Sequence, residues 1–219
     1  MSAGLACGIG ALLSWTADLS VGYPLKAAVL LLAHQRLSSG DLHRHSSVEV
    51  GPANAVTLAR GILVALVAAL IGEHAAPHLW PAVAAALVAL AMDGLDGHVA
   101  RRTGTSSPYG ARLDMELDAL LTLALSVLVW QTGRAGAWVI ASGAMRYAFV
   151  AAAVPLPWLN APLPPRYRRK VVCVVQIGSL IVCLLPPLSP PLTTAVAAAG
   201  LAALTWSFTA DVVWLWRRR

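Results

Sequence analysis

Four of the chain's ten acidic residues stand close together: Asp93, Asp96, Asp114 and Asp118. Asp93 and Asp96 are three apart, so on a helix they share a face, and Gly97 and Arg101 continue that face from Asp93 in steps of four. Asp114 and Asp118 are four apart, with Gly110 one further turn back. Between the two runs, residues 102–109 include Gly104, Ser106, Ser107 and Pro108, a composition that predicts a loop. The spacing therefore predicts two antiparallel helices, each offering a pair of carboxylates to the other. Hard oxygen ligands grouped in this way suit Mg²⁺ or Mn²⁺. Four carboxylates are enough to bridge two such ions, an arrangement that serves in-line phosphoryl displacement. The glycines leave the backbone open to a bulky phosphate. The flanking sequence is apolar enough for lipid, where an aspartate at the centre of a helix costs about 2.5–3.5 kcal/mol. Four of them need a compensating positive charge. The sequence shows no fixed basic partner sufficient for that, so a pair of divalent ions is expected.

The whole run reads D-x-x-D-G-x-x-A-R, eight residues, G-x-x-x-D-x-x-x-D, with Asp93, Asp96, Gly97, Ala100, Arg101, Gly110, Asp114 and Asp118 at its fixed positions. It resembles the signature of the CDP-alcohol phosphotransferase (CDP-alcohol phosphatidyltransferase) family at all eight. The resemblance implies a membrane enzyme that joins an alcohol to the phosphate carried by CDP, usually from CDP-diacylglycerol, and releases CMP in phospholipid biosynthesis. It implies Asp93, Asp96 and Asp114 as metal ligands, with Asp118 contributing and serving as the general base on the acceptor hydroxyl. Gly97, Ala100, Arg101 and Gly110 are expected to line the nucleotide. A second run, Asn54, Thr57 and Arg60 at steps of three, is similar to the N-x-x-T-x-x-R of the family's first core helix, which places Thr57 and Arg60 beside the nucleotide. By spacing alone the same run reads equally as a capping Asn, a packed Thr and a snorkelling Arg.

Two further polar features bear on the acceptor. Arg146 lies deep in an apolar run, and an intramembrane arginine is a functional candidate by default, its alternative being an ion pair with one of the aspartates. Lys170 stands six residues before Gln176, a separation that resembles relatives making phosphatidylinositol-phosphate. Val172 and Cys173 stand where those relatives have a second lysine and a threonine, so the acceptor itself is not readable. Arg146 and Lys170 are the expected acceptor contacts.

The elements that must carry these residues are those of an all-α polytopic integral membrane protein. The chain of 219 residues is 58% hydrophobic and 12% charged, with a mean hydropathy of +0.70; a soluble domain is nearer a quarter charged. In so apolar a chain the net charge of +6 reads as cytoplasmic anchoring and attraction to anionic headgroups, not as nucleic-acid binding. Residues 1–50 read as an N-terminal apolar extension and polar linker, and 51–219 as a six-helix transmembrane core. The core spans are expected at about 54–71, 79–100, 110–130, 136–154, 171–185 and 192–216. In the extension, Asp18 and Lys26 interrupt two runs, each shorter than the ~20 apolar residues of a span. A hairpin, an interfacial helix and one irregular span all fit them. His43 and His45 in the linker lack further ligands and read as solvated. Cys7, Cys173 and Cys183 lie in apolar runs without metal-ligand spacing and read as packing residues. No basic region precedes the first apolar run, so no signal peptide is expected.

The loops at 72–78, 131–135 and 186–191 contain one basic residue, Arg134, whereas the opposite ends hold Arg44, Arg60, Arg101, Arg102, Arg112, Arg166, Arg168, Arg169, Lys170 and Arg217–Arg219. The positive-inside rule puts that second set in the cytoplasm, the side to which the aspartates open. The expected location is a bacterial inner membrane with a cytoplasmic site. Expected partners are CDP-diacylglycerol or another CDP-alcohol, the acceptor alcohol, membrane lipids and a second copy in a homodimer, with no nucleic acid. Two other readings compete: a cation transporter or channel using the aspartates, and an inactive scaffold of the same family. A channel predicts polar residues continuing through the membrane. The outer halves of the spans read instead as Val64-Ala-Leu-Val-Ala-Ala-Leu and Leu121-Thr-Leu-Ala-Leu-Ser-Val-Leu, which offer no continuous polar path.

Overall fold

The computed structural model describes residues 19–20, 22–39, 52–73, 78–103, 108–164 and 166–219; within them, side chains are described except at 34–39, 52–55, 95–103 and 108–113. The described chain is helical, without strands. Its seven α-helices are α1 (Tyr23–Ser39), α2 (Pro52–Ala69), α3 (Leu79–Thr103), α4 (Pro108–Gln131), α5 (Ile140–Ala152), α6 (Tyr167–Cys183) and α7 (Pro190–Trp216), with 3₁₀ segments at Ala137–Val139 and Pro157–Asn160. Proline explains many of the starts. Pro24, Pro52, Pro81, Pro108, Pro190 and Pro191 all fall in the first turn of their helices, where a missing N–H leaves no bond unmade and a fixed φ is already helical. The turns after α2 and α4 each use a glycine of positive φ, Gly72 at 82° and Gly133 at 69°, the conformation that closes a helix C-terminus without Cβ strain.

Helices α2 to α7 occupy the six positions expected of the core. Among the described residues one of them, α7 with 27 residues, is long and apolar enough to cross a membrane by itself. Helices α3 and α4 have 25 and 24 residues, with the side chains at 95–103 and 108–113 outside the described set. Helices α1, α2, α5 and α6 are 17, 18, 13 and 17 residues long, short of the ~20 of a full span.

The chain forms two compact units, Met1–Leu121 and Thr122–Arg219, divided within α4. In the first, α1 packs antiparallel on α2. The Tyr23 hydroxyl donates to the Leu66 carbonyl at 2.9 Å, and Leu31 and Leu117 both lie against Gly61. Of the arrangements open to the N-terminal extension, its second run thus forms a helix packed on the core; the first run, Cys7, His43 and His45 lie outside the described residues. Glu73 fastens the free end of this hairpin. It accepts from the Ser20 hydroxyl at 2.7 Å, from the Ser20 amide at 3.0 Å and from the Lys26 ammonium. Burial raises the Glu73 carboxyl, but the bonds from Lys26 and Ser20 and the Lys26 charge outweigh it and bring the pKa down to about 2.

In the second unit α6 and α7 run antiparallel. Gly200 of α7 faces Ser179 and the Gln176 side chain of α6, and Cys183 donates to the Thr193 carbonyl at 3.2 Å. Gly143 of α5 approaches α4 so closely that an added Cβ would stand 2.3 Å from the Leu123 Cα. Small residues allow such backbone approach between apolar helices. Arg134 donates to the carbonyls of Leu185, Pro186 and Leu188 at 2.6–3.2 Å. The one basic residue of the loops 72–78, 131–135 and 186–191 therefore satisfies carbonyls just beyond the end of α6, where positive charge is favoured.

Candidate functional site

The motif falls on two helices, as the spacing predicts, although α3 continues to Thr103, past the expected end near Ala100. Asp93, Asp96, Gly97, Ala100 and Arg101 lie on α3, and Gly110, Asp114 and Asp118 on α4. Side chains are described for Asp93, Asp114 and Asp118; those of Asp96, Ala100 and Arg101 are outside the described set.

A third helix enters the site. From α2, the Arg60 guanidinium reaches all three described carboxylates. One terminal nitrogen donates to Asp93 Oδ1 at 2.9 Å and also to Asp114 Oδ1, and the other donates to Asp118 Oδ1. The aspartates therefore do have a fixed basic partner that spacing did not reveal, but one cation among three carboxylates is not sufficient to neutralise them. The sequence hides this because Arg60 precedes Asp93 by more than thirty residues and only the packing of α2 on α3 brings them together. Side-chain exposure rises from 1% at Arg60 and 9% at Asp93 to 22% at Asp118 and 39% at Asp114. The cluster is thus closed at the Arg60 end and open at the Asp114 end. Thr57 is half-buried on α2, three residues before Arg60.

Among the described residues no group of three His, Cys, Asp or Glu side chains is arranged to hold a metal ion; Arg60 stands between the oxygens that would do so. The donor set itself fits a hard divalent cation. Three carboxylates from two helices converge within the reach of a single guanidinium, all ligating atoms are oxygens, and one fixed cation leaves an excess of negative charge.

The remaining expected residues lie in the second unit. Arg146 is half-buried on α5, followed by the exposed Tyr147. Lys170 is exposed on the first turn of α6, whereas Gln176 is 1% exposed and faces Gly200 and Ser179. Six helical residues turn through about 600°, so the two side chains point to different sides of α6. Sequence reasoning missed Asp211. It is buried on α7 and pairs with Arg168 at 2.6 Å and with Arg169 at 3.4 Å. Its signal was available, since it is the one acidic residue after Asp118 and an ionisable group inside an apolar span calls for a partner.

The model of the CDP-alcohol phosphatidyltransferase family matches residues 51–210. No curated protein and no solved structure matches the chain. The matched region takes in α2 to α6 and most of α7, and with it the whole two-helix carboxylate motif and Arg60. The chain belongs to the CDP-alcohol phosphatidyltransferase family, transferases of substituted phosphate groups that act on a CDP-alcohol and an alcohol acceptor.

Proposed function

We propose that the protein transfers a phosphatidyl group from CDP-diacylglycerol to an alcohol acceptor, with release of CMP. The observation that carries this reading is the convergence of Asp93, Asp114 and Asp118, from two helices, on one point beside α2. The acceptor oxygen forms a bond to the phosphatidyl phosphorus as the bond to the bridging pyrophosphate oxygen breaks. CMP leaves with the electron pair, and the acceptor's proton passes to Asp118. A base must stand within hydrogen-bond reach of that proton, and the partial exposure of Asp118 is compatible with this.

Asp93, Asp96 and Asp114, with Asp118 contributing, are the residues to hold two divalent ions, Mg²⁺ or Mn²⁺. When bound, such ions would neutralise and align the charge of the donor's pyrophosphate linkage, from which CMP leaves. Thr57, Arg60, Gly97, Ala100, Arg101 and Gly110 are the proposed nucleotide contacts, and Arg146 and Lys170 the proposed acceptor contacts. The Asp114 end of the cluster is the more open one and suits entry of the donor, its acyl chains remaining in the bilayer. In this reading α2 to α7 form a six-helix transmembrane core in a bacterial inner membrane, with the site on the cytoplasmic side and a homodimer as the assembly. The test is incubation of purified protein with CDP-diacylglycerol and a panel of acceptors, following CMP and lipid product. EDTA should abolish CMP release and added Mg²⁺ or Mn²⁺ should restore it. Full turnover by thoroughly chelated protein would reject the two-ion proposal.

A further inference from the structure

The charge of this chain is unevenly divided. Residues 122–219 carry nine of the sixteen Lys and Arg residues and one of the ten acidic residues, Asp211. Seven of the nine lie at one end of the antiparallel α6–α7 pair: Arg166, Arg168, Arg169 and Lys170 around the start of α6, and Arg217–Arg219 after α7. Asp211 is engaged by Arg168 and Arg169. Arg166, Lys170 and the three last arginines are exposed, and no acidic side chain among the described residues pairs with them. Cations at a helix N-terminus oppose the macrodipole, so the helix itself gives no reason for the cluster at the start of α6.

Aromatic side chains share this end. Tyr167 is 81% exposed and Trp206 62%. Arg168 lies over Trp206 at 5.1 Å, Arg218 over Trp214 at 4.0 Å and Arg219 over Trp216 at 3.3 Å. An indole offers a guanidinium a quadrupole, not a counter-charge, so Arg218 and Arg219 are held in place with their charge uncompensated. Trp158 meets Trp216 edge-on at 5.6 Å and stiffens the shelf. Along the same helices Val171, Val174, Val175 and Val213 are exposed. A free anion or a nucleic acid would match the cations but leave these valines in water. A layer of anionic headgroups over acyl chains matches both.

We infer that this end of α6 and α7 is a docking surface for anionic phospholipid, the arginines taking the phosphates and the exposed valines the acyl chains below them. The inference does not depend on the transferase reading. It is tested with the full chain reconstituted in phosphatidylcholine bilayers. These contain a fixed fraction either of phosphatidylglycerol brominated high on its acyl chains or of phosphatidylcholine brominated in the same way. Bromine quenches tryptophan on contact. At ~10 mM salt, where screening extends over ~30 Å, the anionic brominated lipid should quench several-fold more than the neutral one. At ~1 M salt, where it extends over ~3 Å, the excess should shrink towards unity. The quadruple variant Arg166→Gln, Arg217→Gln, Arg218→Gln, Arg219→Gln should lose most of the excess, as should replacement by Phe of the reporters at this end, Trp158, Trp206, Trp214 and Trp216. Equal quenching by the two lipids at low salt, or an excess indifferent to salt, overturns the inference. The salt titration uses the unmodified chain, so its result is decisive even if the quadruple variant fails to fold. A protein that releases no CMP could still show the preference, which separates this test from that of the proposed activity.

Discussion

One guanidinium facing three carboxylates is an unequal match, and Arg60 and a divalent cation would compete for the same oxygens. Replacing Arg60 by Gln should therefore have two opposite effects. Metal-free protein should melt earlier, since breaking a buried pair costs about 3–5 kcal/mol. Mn²⁺ followed by electron spin resonance should bind at least ~10-fold more tightly, because a unit charge ~4 Å away at an effective dielectric near 20 is worth ~4 kcal/mol before relaxation. Unchanged Mn²⁺ affinity would mean that Arg60 and the ion occupy separate places. The aspartates should differ among themselves. Asp93→Asn should weaken metal and nucleotide binding together, whereas Asp118→Asn should keep much of the donor binding and lose about 10²–10⁴-fold in single-turnover rate, the usual cost of a lost general base. Equal loss of donor binding in both would make Asp118 a ligand and leave the base to be found elsewhere. Glu73 gives a prediction in pH. Its folded pKa of about 2 lies below the ordinary 4.5, so its stabilisation is present above ~4.5 and is lost as pH falls towards ~2. The melting-temperature gap between wild type and Glu73→Gln should narrow over that window.

At the scale of the elements, the motif and the helix positions were legible because both depend on local spacing. Steps of three and four put Asp93 beside Asp96 and Asp114 beside Asp118, and first-turn prolines mark many of the helix starts. What spacing could not give was partnership between helices. Arg60 with Asp93, Arg168 with Asp211 and Lys26 with Glu73 are all pairs of residues distant in sequence, joined by packing. Glycines carry the closest packing. At Gly143 a methyl group would meet the Leu123 backbone, which cannot swing aside as a side chain can. Gly143→Ala should therefore destabilise by about 1–3 kcal/mol, read as earlier thermal aggregation in detergent. Gly200→Ala would meet the Ser179 hydroxyl and the Gln176 amide oxygen, both movable, and should cost less. A larger loss at Gly200 than at Gly143 would show that α6 and α7 set the stability of this unit.

For the whole molecule, charge gives the clearest expectation. The proposed topology assigns the basic ends of α6 and α7 and the arginines of the motif to the cytoplasm, and two basic residues it leaves on the other side are engaged, Arg134 with main-chain carbonyls and Lys26 with Glu73. A reporter fused after Arg219 should therefore signal from the cytoplasm; a periplasmic signal would reverse the assigned topology and the opening of the site with it. The whole-molecule view also bears on the transporter reading. A fixed arginine held among the carboxylates opposes passage of any cation past them, adding a physical objection to the apolar outer halves of the spans. Composition made the helical, apolar character plain.

The order of charges along the chain has a consequence during synthesis. A ribosome releases about 5–20 residues per second, so α2 can reach the translocon seconds before α3 and α4. Arg60 then precedes the three carboxylates it will hold. Each aspartate handed to the bilayer without a counter-ion meets a barrier of about 2.5–3.5 kcal/mol, and a metal ion cannot bind ligands not yet made. The arginine is the one counter-charge of the described site already present in the nascent chain when Asp93 emerges. A chain with Arg60→Gln should accordingly stall or be degraded at the insertion of α3, seen as a lower yield of membrane-integrated protein in a pulse–chase.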